Sequence, residues 1–118
     1  MLKHTEIGTN GEQLAAIFLK NKGYLILETN WRAGKKEIDI IAENSDSIVF
    51  VEVKTRSNFD YGFPEEAVTD SKKKSLKLAA EVYYEQKQPV KSPRFDIISI
   101  LQKGQKTQEI IHLEDAFY

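Results

Sequence analysis

The chain has 118 residues, a length that predicts a single domain over residues 1–118 with a modest hydrophobic core. Charged residues make up 30% of the sequence and hydrophobic residues 41%, which is typical of a globular protein and argues against wholesale disorder. The net charge of −1 excludes nucleic-acid binding through overall positive charge, so any phosphate binding must come from local clusters of cations.

Three features that are absent from the sequence limit the kinds of functional site and the cellular location that we expect. It contains no cysteine, which excludes disulfides, thiolate zinc sites and cysteine nucleophiles. No run approaches the roughly 20 apolar residues of a membrane span. The first residues also lack the apolar centre of a signal peptide. We therefore expect a cytoplasmic protein that does not enter the membrane.

The first half of the chain predicts a helix followed by three strands. The helix is expected between Thr9 and Gly23, because Thr9 is a good N-cap and Glu12 follows it at the capping-box spacing. Glu12 also lies on the helical line of apolar residues that would face a sheet, so a capping role and a role in a site stay open. Apolar runs bounded by turn residues then predict three strands, at 24–31, 37–42 and 48–54.

The second half predicts one more helix and two more strands. Thr69 and Asp70 are both good N-caps for a helix that ends by Gln88. Further strands are expected at 94–101 and 108–112, with Phe117 packed in a short terminal turn, and the aromatic-rich segment at 57–64 is expected to be a loop that forms a substrate lid or a plug over the core. The order αβββαββ predicts an α/β (α+β) fold, with two main helices against a mixed sheet of about five strands.

Charged side chains interrupt the hairpin predicted at 37–54. Because side chains alternate along a strand, Glu37, Asp39 and Ile41 are expected on one face of the first strand. The opposite face is assigned to Ile38, Ile40 and Ala42. In the second strand, Glu52 and Lys54 share a face. Acids and a lysine among β-branched residues are costly unless they pair, bind a metal or meet solvent in a cleft. The hairpin is therefore the candidate site, and a structural salt-bridge cluster is the alternative.

Four lysines lie near the start of the predicted second helix. Lys72 lies on the same helical stripe as the apolar residues that would face the sheet. Lys73, Lys74 and Lys77 extend the positive charge, although cations near a helix N-terminus oppose the macrodipole. Attraction of phosphate is one explanation for these three lysines, and a solvated charged face is the default expectation.

At these residues the sequence resembles the PD-(D/E)XK nuclease superfamily. Asp39, Glu52 and Lys54, on consecutive strands after an N-terminal helix, carry the likeness. The chain is more closely similar to the YraN-like family of small bacterial proteins, which is distantly related to archaeal Holliday junction resolvases. The likeness extends over nearly the whole chain. Other residues that carry it are Gly11, Glu12, Gly23, Tyr24, Asn30, Arg32, Arg56 and Lys72, with the segments 64–68, 94–96 and 116–117.

The resemblance implies a restriction-endonuclease-like core and a metal-dependent endonuclease that hydrolyses phosphodiester bonds in DNA, with branched or single-stranded DNA as the expected substrate. It implies that Asp39, Glu52 and the backbone carbonyl of Val53 bind Mg²⁺ or Mn²⁺. Lys54 would be the catalytic lysine, and Glu12 an additional catalytic carboxylate. Glu37 is a further acid that is expected at the solvent rim. Related nucleases often act as symmetric dimers, so a homodimer is also expected.

The chemistry of phosphodiester cleavage agrees with these roles, because Mg²⁺ prefers carboxylate and carbonyl oxygens. Lys72 and Arg56 are expected to hold flanking phosphates, with Arg32 and Lys36 as further nucleic-acid contacts. His112 is not needed and is expected to be structural or at the surface. The alternative function is a non-catalytic nucleic-acid- or protein-binding module that retains a nuclease fold.

Overall fold

In the computed structural model, which describes residues 4–57, 68–103 and 106–117, two helices pack on one five-stranded sheet. The elements are α1 (His4–Asn21), β1 (Leu25–Ala33), β2 (Lys36–Glu43), β3 (Ser47–Arg56), α2 (Asp70–Lys87), β4 (Ser92–Lys103) and β5 (Lys106–Phe117). The predicted order and the mixed α/β (α+β) fold class are confirmed, and the architecture is compatible with a restriction-endonuclease-like core. Of the loop predicted at 57–64, everything after residue 57 lies outside the described residues.

The strands lie in the sheet in the same order as in the sequence. β3 and β4 are parallel, and the other neighbouring pairs are antiparallel. A parallel pair needs a long crossover, and α2 lies in the connection between β3 and β4. β5 has 12 residues, so the prediction of a last strand limited to 108–112 is too short. Phe117 is buried as predicted, but it ends β5 and does not lie in a terminal turn.

Each face of the sheet has its own hydrophobic core. The core under α2 includes Ile41, Phe50, Phe95 and Ile97 of the sheet, with Leu76, Ala79, Ala80 and Tyr83 of the helix. The core under α1 includes Ile40, Val49, Val51, Ile98 and Ile100 of the sheet, with Ala15 and Leu19 of the helix. Because β3 and β4 are covered on both faces, their apolar residues run almost without interruption.

The alternation of side chains fails in β2 next to Asp39. Ile38 packs with Ile41 in the core under α2. Ile40 and Ala42 pack in the core under α1. The prediction that these three residues share a face is therefore wrong for Ile38. The break lies at Asp39, opposite Asn30 of β1, whose φ of +50° departs from an extended strand.

The first helix begins five residues earlier than predicted, at His4 instead of Thr9. Thr9 therefore lies inside α1 and is not its N-cap, so the predicted capping box with Glu12 is wrong. The end of the helix agrees with the prediction. The chain leaves α1 through Gly23, whose φ of +94° is a conformation that glycine adopts without strain.

Both ends of α2 show the expected capping chemistry. Thr69 is the N-cap, and its hydroxyl accepts a hydrogen bond from the backbone N–H of Lys72 at 3.2 Å. Asp70 places a negative charge in the first turn, where the macrodipole favours it. At the other end, Gln88 adopts the left-handed conformation, and its N–H donates to the carbonyl of Tyr84. Neither α1 nor α2, the helices in the described ranges, is long and apolar enough to cross a membrane.

Gly11 brings the backbone of α1 directly against β3. The residue is buried, and a Cβ built on it would overlap the hydroxyl of Thr55. A glycine therefore permits a closer approach of the helix to the sheet than an alanine would. Since Glu12 is the next residue, this close approach also sets how far its carboxylate reaches toward the sheet.

We expect Gly11→Ala to lower the free energy of unfolding by about 1–2 kcal/mol, because the added methyl group displaces Thr55 or the helix. Thr55→Ala removes the overlapping hydroxyl, so the same change at Gly11 should cost much less in that background. Urea unfolding of the wild type, both single variants and the double variant measures this coupling. An equal cost in both backgrounds would show that the contact with Thr55 is not the cause.

Candidate active site

A fork between β2 and β3 brings the acidic candidates together. The pairing of these strands ends at Ile40 and Val51. One step further, the N–H of Val53 donates a hydrogen bond of 2.8 Å to Oδ2 of Asp39. A side-chain carboxylate thus accepts the hydrogen bond that a neighbouring strand would otherwise accept through its backbone. The result is that Asp39 is fixed beside the segment of β3 that carries Glu52.

Glu52 is buried between two lysines. It is only 3% exposed, and its Oε1 lies 3.6 Å from Nζ of Lys54 and 3.8 Å from Nζ of Lys72. Its Oε2 is buried and has no hydrogen-bond partner within the described part of the chain. Burial and the nearby Asp39 raise the pKa of Glu52 to about 7, although both lysines act in the opposite direction. A buried carboxyl group with an unpartnered oxygen and a raised pKa is typical of a functional site.

Asp39 shares this environment and is half-buried. Burial raises its pKa, while the hydrogen bond from Val53 and the charge of Lys72 oppose the shift. Glu37 raises the pKa further, so it lies within electrostatic range of Asp39. Two acids that both resist ionisation at the same place create a local preference for a proton or a cation.

Glu12 approaches the fork from α1. Burial and the nearby Asp39 raise the pKa of Glu12, and a hydrogen bond with the side chain of Asn30 opposes that shift. Its Oε2 is buried without a hydrogen-bond partner among the described residues, as is Oε2 of Glu52. Because the start of α1 excludes the capping box, the position beside Asp39 is the setting that the structure gives to this carboxylate.

Asn30 supports Glu12 from the neighbouring strand. Its φ is +50°, in the left-handed region that asparagine adopts more readily than most residues. Its neighbours in β1 pair with the residues on either side of Asp39. A cavity of about 230 Å³ on this side is lined by Glu12, Gln13, Ala16, Thr29 and Asn30. Asn30 was not predicted to belong to the site. A turn-favouring residue inside a strand is the sequence feature that indicates such a role.

The available ligands suit a hard divalent cation. Asp39 and Glu52 supply carboxylate oxygens, and Oε2 of Glu52 has no donor within the described part of the chain. Within the described residues, no three or more acidic or histidine side chains converge into a metal-binding group. Mg²⁺ usually binds through one or two carboxylates and keeps several waters, so two acids and the carbonyl of Val53 are a sufficient set. The residues at the fork therefore fit Mg²⁺ or Mn²⁺.

The predicted cationic residues lie in three places: beside Glu52, on the β1–β2 hairpin and at the end of β3. Lys72 joins Lys54 at Glu52, as described above. Arg32 is 69% exposed at its side chain and lies 3.3 Å from Glu37, on the β1–β2 hairpin. Lys36 lines a groove with Arg32 along the second half of α2. Arg56 ends β3 and pairs with Leu101 of β4 in the sheet. The structure thus brings Lys54 and Lys72 to the acids and places Arg32 and Lys36 on a neighbouring surface.

A second polar cluster, in the core of β4 and β5, surrounds Asp96. Arg94 donates to both of its oxygens, at 2.9 and 2.7 Å, and the backbone N–H of Asp115 donates at 3.0 Å. Nε2 of His112 lies 2.7 Å from Oδ2. Burial opposes ionisation, but the hydrogen bonds from His112, Arg94 and Asp115 outweigh it and lower the pKa of Asp96. Arg94 also donates to the hydroxyl of Tyr24, and His112 has the structural role that was expected for it.

The pKa of Glu52 predicts how stability depends on pH. The folded-state pKa of about 7 lies above the ordinary value of 4.5, so the folded state binds this proton more tightly than the unfolded state does. The extra stability that the folded state gains from binding this proton is fully present below about pH 4.5 and is lost as the pH rises through about 7. Glu52→Gln cannot ionise, and we expect it to exceed the wild type in stability at about pH 8 by up to about 3 kcal/mol.

Thermal and urea unfolding at about pH 5 and pH 8, in EDTA, measure this difference. Asp46→Asn, a change in the exposed β2–β3 turn, serves as the control, because it removes a carboxylate that lies in no buried site. A stability gain in Glu52→Gln that is the same at both pH values would show that ionisation of this carboxyl group is not its source.

The chain is similar to known proteins over its full length. The family model described as "Uncharacterised protein family UPF0102" matches residues 11–100, which include Glu12, Asp39 and Glu52. A UPF0102 protein of Phocaeicola vulgatus is 44% identical over 119 residues, covering 100% of this chain and 97% of the relative. One from Flavobacterium psychrophilum is 46% identical over 118 residues, covering 100% and 98%. One from Bacteroides thetaiotaomicron is 42% identical over 118 residues, covering 100% and 97%. The chain therefore belongs to the UPF0102 family.

Proposed function

We propose that this protein is a metal-dependent endonuclease of the PD-(D/E)XK type, which hydrolyses phosphodiester bonds in branched or single-stranded DNA. The observation that carries the proposal is the environment of Glu52. A carboxyl group that is 3% exposed, with one unpartnered oxygen and two lysines within 4 Å of the other, is costly to maintain in a fold. A ligand that brings a divalent cation and a phosphate together would compensate for that cost.

The residues of the fork have complementary roles in this proposal. Asp39, Glu52 and the carbonyl of Val53 would hold Mg²⁺ or Mn²⁺. The cation, when bound, polarises the phosphate and lowers the pKa of the attacking water. Lys54 lies beside Glu52 and would stabilise the negative charge that develops on the phosphate, a contribution of roughly 3–4 kcal/mol for one such contact. Glu12, which lies beside Asp39, would exchange a proton with the water or the leaving oxygen.

The cations around the fork would hold the rest of the substrate. Lys72 approaches Glu52 from the helix side and would contact a phosphate next to the scissile one. Arg56, at the end of β3, and the hairpin residues Arg32 and Lys36 would contact more distant phosphates. A symmetric dimer would bring two such sites to one branched substrate, and we include it in the proposal.

A second candidate is a non-catalytic binding module with the same fold. It is favoured by the fact that Asp39 already accepts a hydrogen bond from Val53, while Lys54 and Lys72 partly neutralise Glu52. A cluster that satisfies most of its own charges can be structural. The two candidates differ in whether the acids bind a divalent cation and in whether phosphodiester bonds are cut.

Cleavage is the direct test. The purified protein is incubated with single-stranded DNA, a flap, a four-way junction and blunt duplex DNA, in Mg²⁺ or Mn²⁺. We expect cleavage of the single-stranded or branched substrates, and a loss of rate of about 100-fold or more in Asp39→Asn, Glu52→Gln and Lys54→Met. Asp46→Asn, in the exposed turn, should cleave like the wild type. Cleavage that is unchanged in the Asp39 and Glu52 variants would exclude this site as its source.

Metal binding has a readout that does not depend on activity. At about pH 8, Mg²⁺ or Mn²⁺ is expected to raise the melting temperature of the wild type, with about 1.4 kcal/mol of stabilisation at ten times the dissociation constant. Asp39→Asn should lose this response, because it removes one of the two carboxylate ligands, and Asp46→Asn should keep it. A wild-type protein that does not respond at millimolar cation would support the non-catalytic module.

A further inference from the structure

An open groove runs along the side of α2 that lies next to β4 and β5. Lys73, Lys74 and Lys77 lie on one side of the helix, because residues three and four apart are neighbours on a helical surface. With Asp70 and Phe117 they line a hollow of about 480 Å³ between α2 and the end of β5. A second hollow, of about 260 Å³, is lined by Lys77, Ala80, Glu81, Tyr84, Pro93 and Phe95. The two hollows share Lys77 and form one groove, which we call the lysine groove.

The floor of the lysine groove is apolar and includes Ala80, Tyr84 and Pro93, with Phe95 and Phe117 almost fully buried beneath it. The rings of Phe95 and Phe117 stack with their centroids 5.3 Å apart and an interplanar angle of 25°. Nζ of Lys73 lies 5.6 Å from the centroid of Phe117, so the cation lies above this floor. Proteins that bind single-stranded nucleic acid combine apolar or aromatic surfaces for the bases with cations for the backbone. The lysine groove has both parts.

Two lysines of the groove lie near the positive end of the α2 dipole. Lys73 and Lys74 lie within five residues of the N-cap Thr69, where the positive end of the helix dipole disfavours cations by about 0.3–1 kcal/mol each. Asp70 and Glu81, the acids that line the groove, lie toward its two ends, and the lysines lie between them. The middle of the groove is therefore positive, as a polyanion requires.

α2 also connects the lysine groove with the fork. Lys72 contacts Glu52, and Lys73 is the first lysine of the groove. At 1.5 Å per residue, Lys77 lies about 7.5 Å further along the helix axis than Lys72. Because a helix has 3.6 residues per turn, Lys73 and Lys77 lie on the flank of α2 next to Lys72 and not on one line with it.

We propose that the lysine groove binds a single-stranded nucleic-acid segment adjacent to the phosphate held at the fork. Lys73, Lys74 and Lys77 contact its backbone, and its bases pack against the apolar lining of the groove at Tyr84 and Pro93. This inference rests on the proposed nuclease function and adds the path that the substrate takes away from the site. It also explains a preference for branched or single-stranded DNA, since a blunt duplex cannot place unpaired bases on the floor.

Binding without cleavage tests this path. Fluorescence anisotropy in EDTA measures the affinity of the full chain for a labelled single strand of about 20 nucleotides across a range of salt concentrations. The test variant combines Lys73→Gln, Lys74→Gln and Lys77→Gln. The control variant combines Lys20→Gln, Lys87→Gln and Lys106→Gln, which are exposed elsewhere on the molecule and give the same change in net charge.

The test variant is expected to bind at least about tenfold more weakly than the wild type. Loss of three phosphate contacts should reduce the slope of log affinity against log salt by about 2, since each contact to a single strand contributes about 0.7. The control variant should stay within about twofold of the wild type.

Different results overturn different parts of the inference. If the wild type binds and the test variant binds equally well, the lysine groove is wrong and the endonuclease proposal stands. If the wild type binds no single strand, the lysine groove is wrong, and the cleavage assay decides the endonuclease proposal separately. If blunt duplex DNA depends on the three lysines as strongly as the single strand does, the single-strand assignment is wrong. If polyglutamate competes as well as the oligonucleotide at equal charge, the groove is a site for an acidic protein.

Discussion

The hydrogen bond from the N–H of Val53 to Asp39 is the contact on which the candidate site depends. It forms where β2 and β3 stop pairing, and it holds two separating strands at a fixed distance. Because Glu52 precedes Val53 in the chain, the same bond fixes one acid relative to the other. Without it, each carboxylate would follow its own strand. With it, burial raises the pKa of both carboxylates, and the nearby Asp39 raises the pKa of Glu52 further.

Two buried carboxylates in the described part of the chain have opposite hydrogen-bonding environments and opposite shifts of pKa. Asp96 accepts hydrogen bonds from a guanidinium, an imidazole and a backbone N–H, and its pKa is lowered. Glu52 keeps one oxygen without a partner among the described residues, and its pKa is raised. A fully satisfied carboxylate stabilises the fold that surrounds it, whereas an incompletely satisfied one is available to a ligand. The contrast separates a structural network in β4 and β5 from a reactive site between β2 and β3.

Most of the fold follows from local signals in the sequence. The cap at Thr69, the glycine turn at Gly23 and the apolar periodicity predicted seven elements in the right order, and the hairpin pattern predicted that Asp39 and Glu52 would meet. The errors have physical causes. The start of α1 was placed too late because Thr9 matches a capping pattern, whereas the helix begins at His4. The face of Ile38 was wrong because alternation assumes a regular extended strand, and the backbone departs from one at Asn30, opposite Asp39. The Asp96 network joins residues distant in sequence, which no local pattern reveals.

The parallel pairing of β3 and β4 has a consequence for the direction of the chain. A crossover helix between parallel strands must return along the sheet, so α2 begins at the edge where β3 ends. This is why Lys72, at the start of α2, meets Glu52, near the end of β3. The positive pole of α2 and the carboxylates of the fork therefore lie at the same edge because of topology. An antiparallel β4 would let the connection be short, and Glu52 would keep Lys54 of its own strand but lose Lys72.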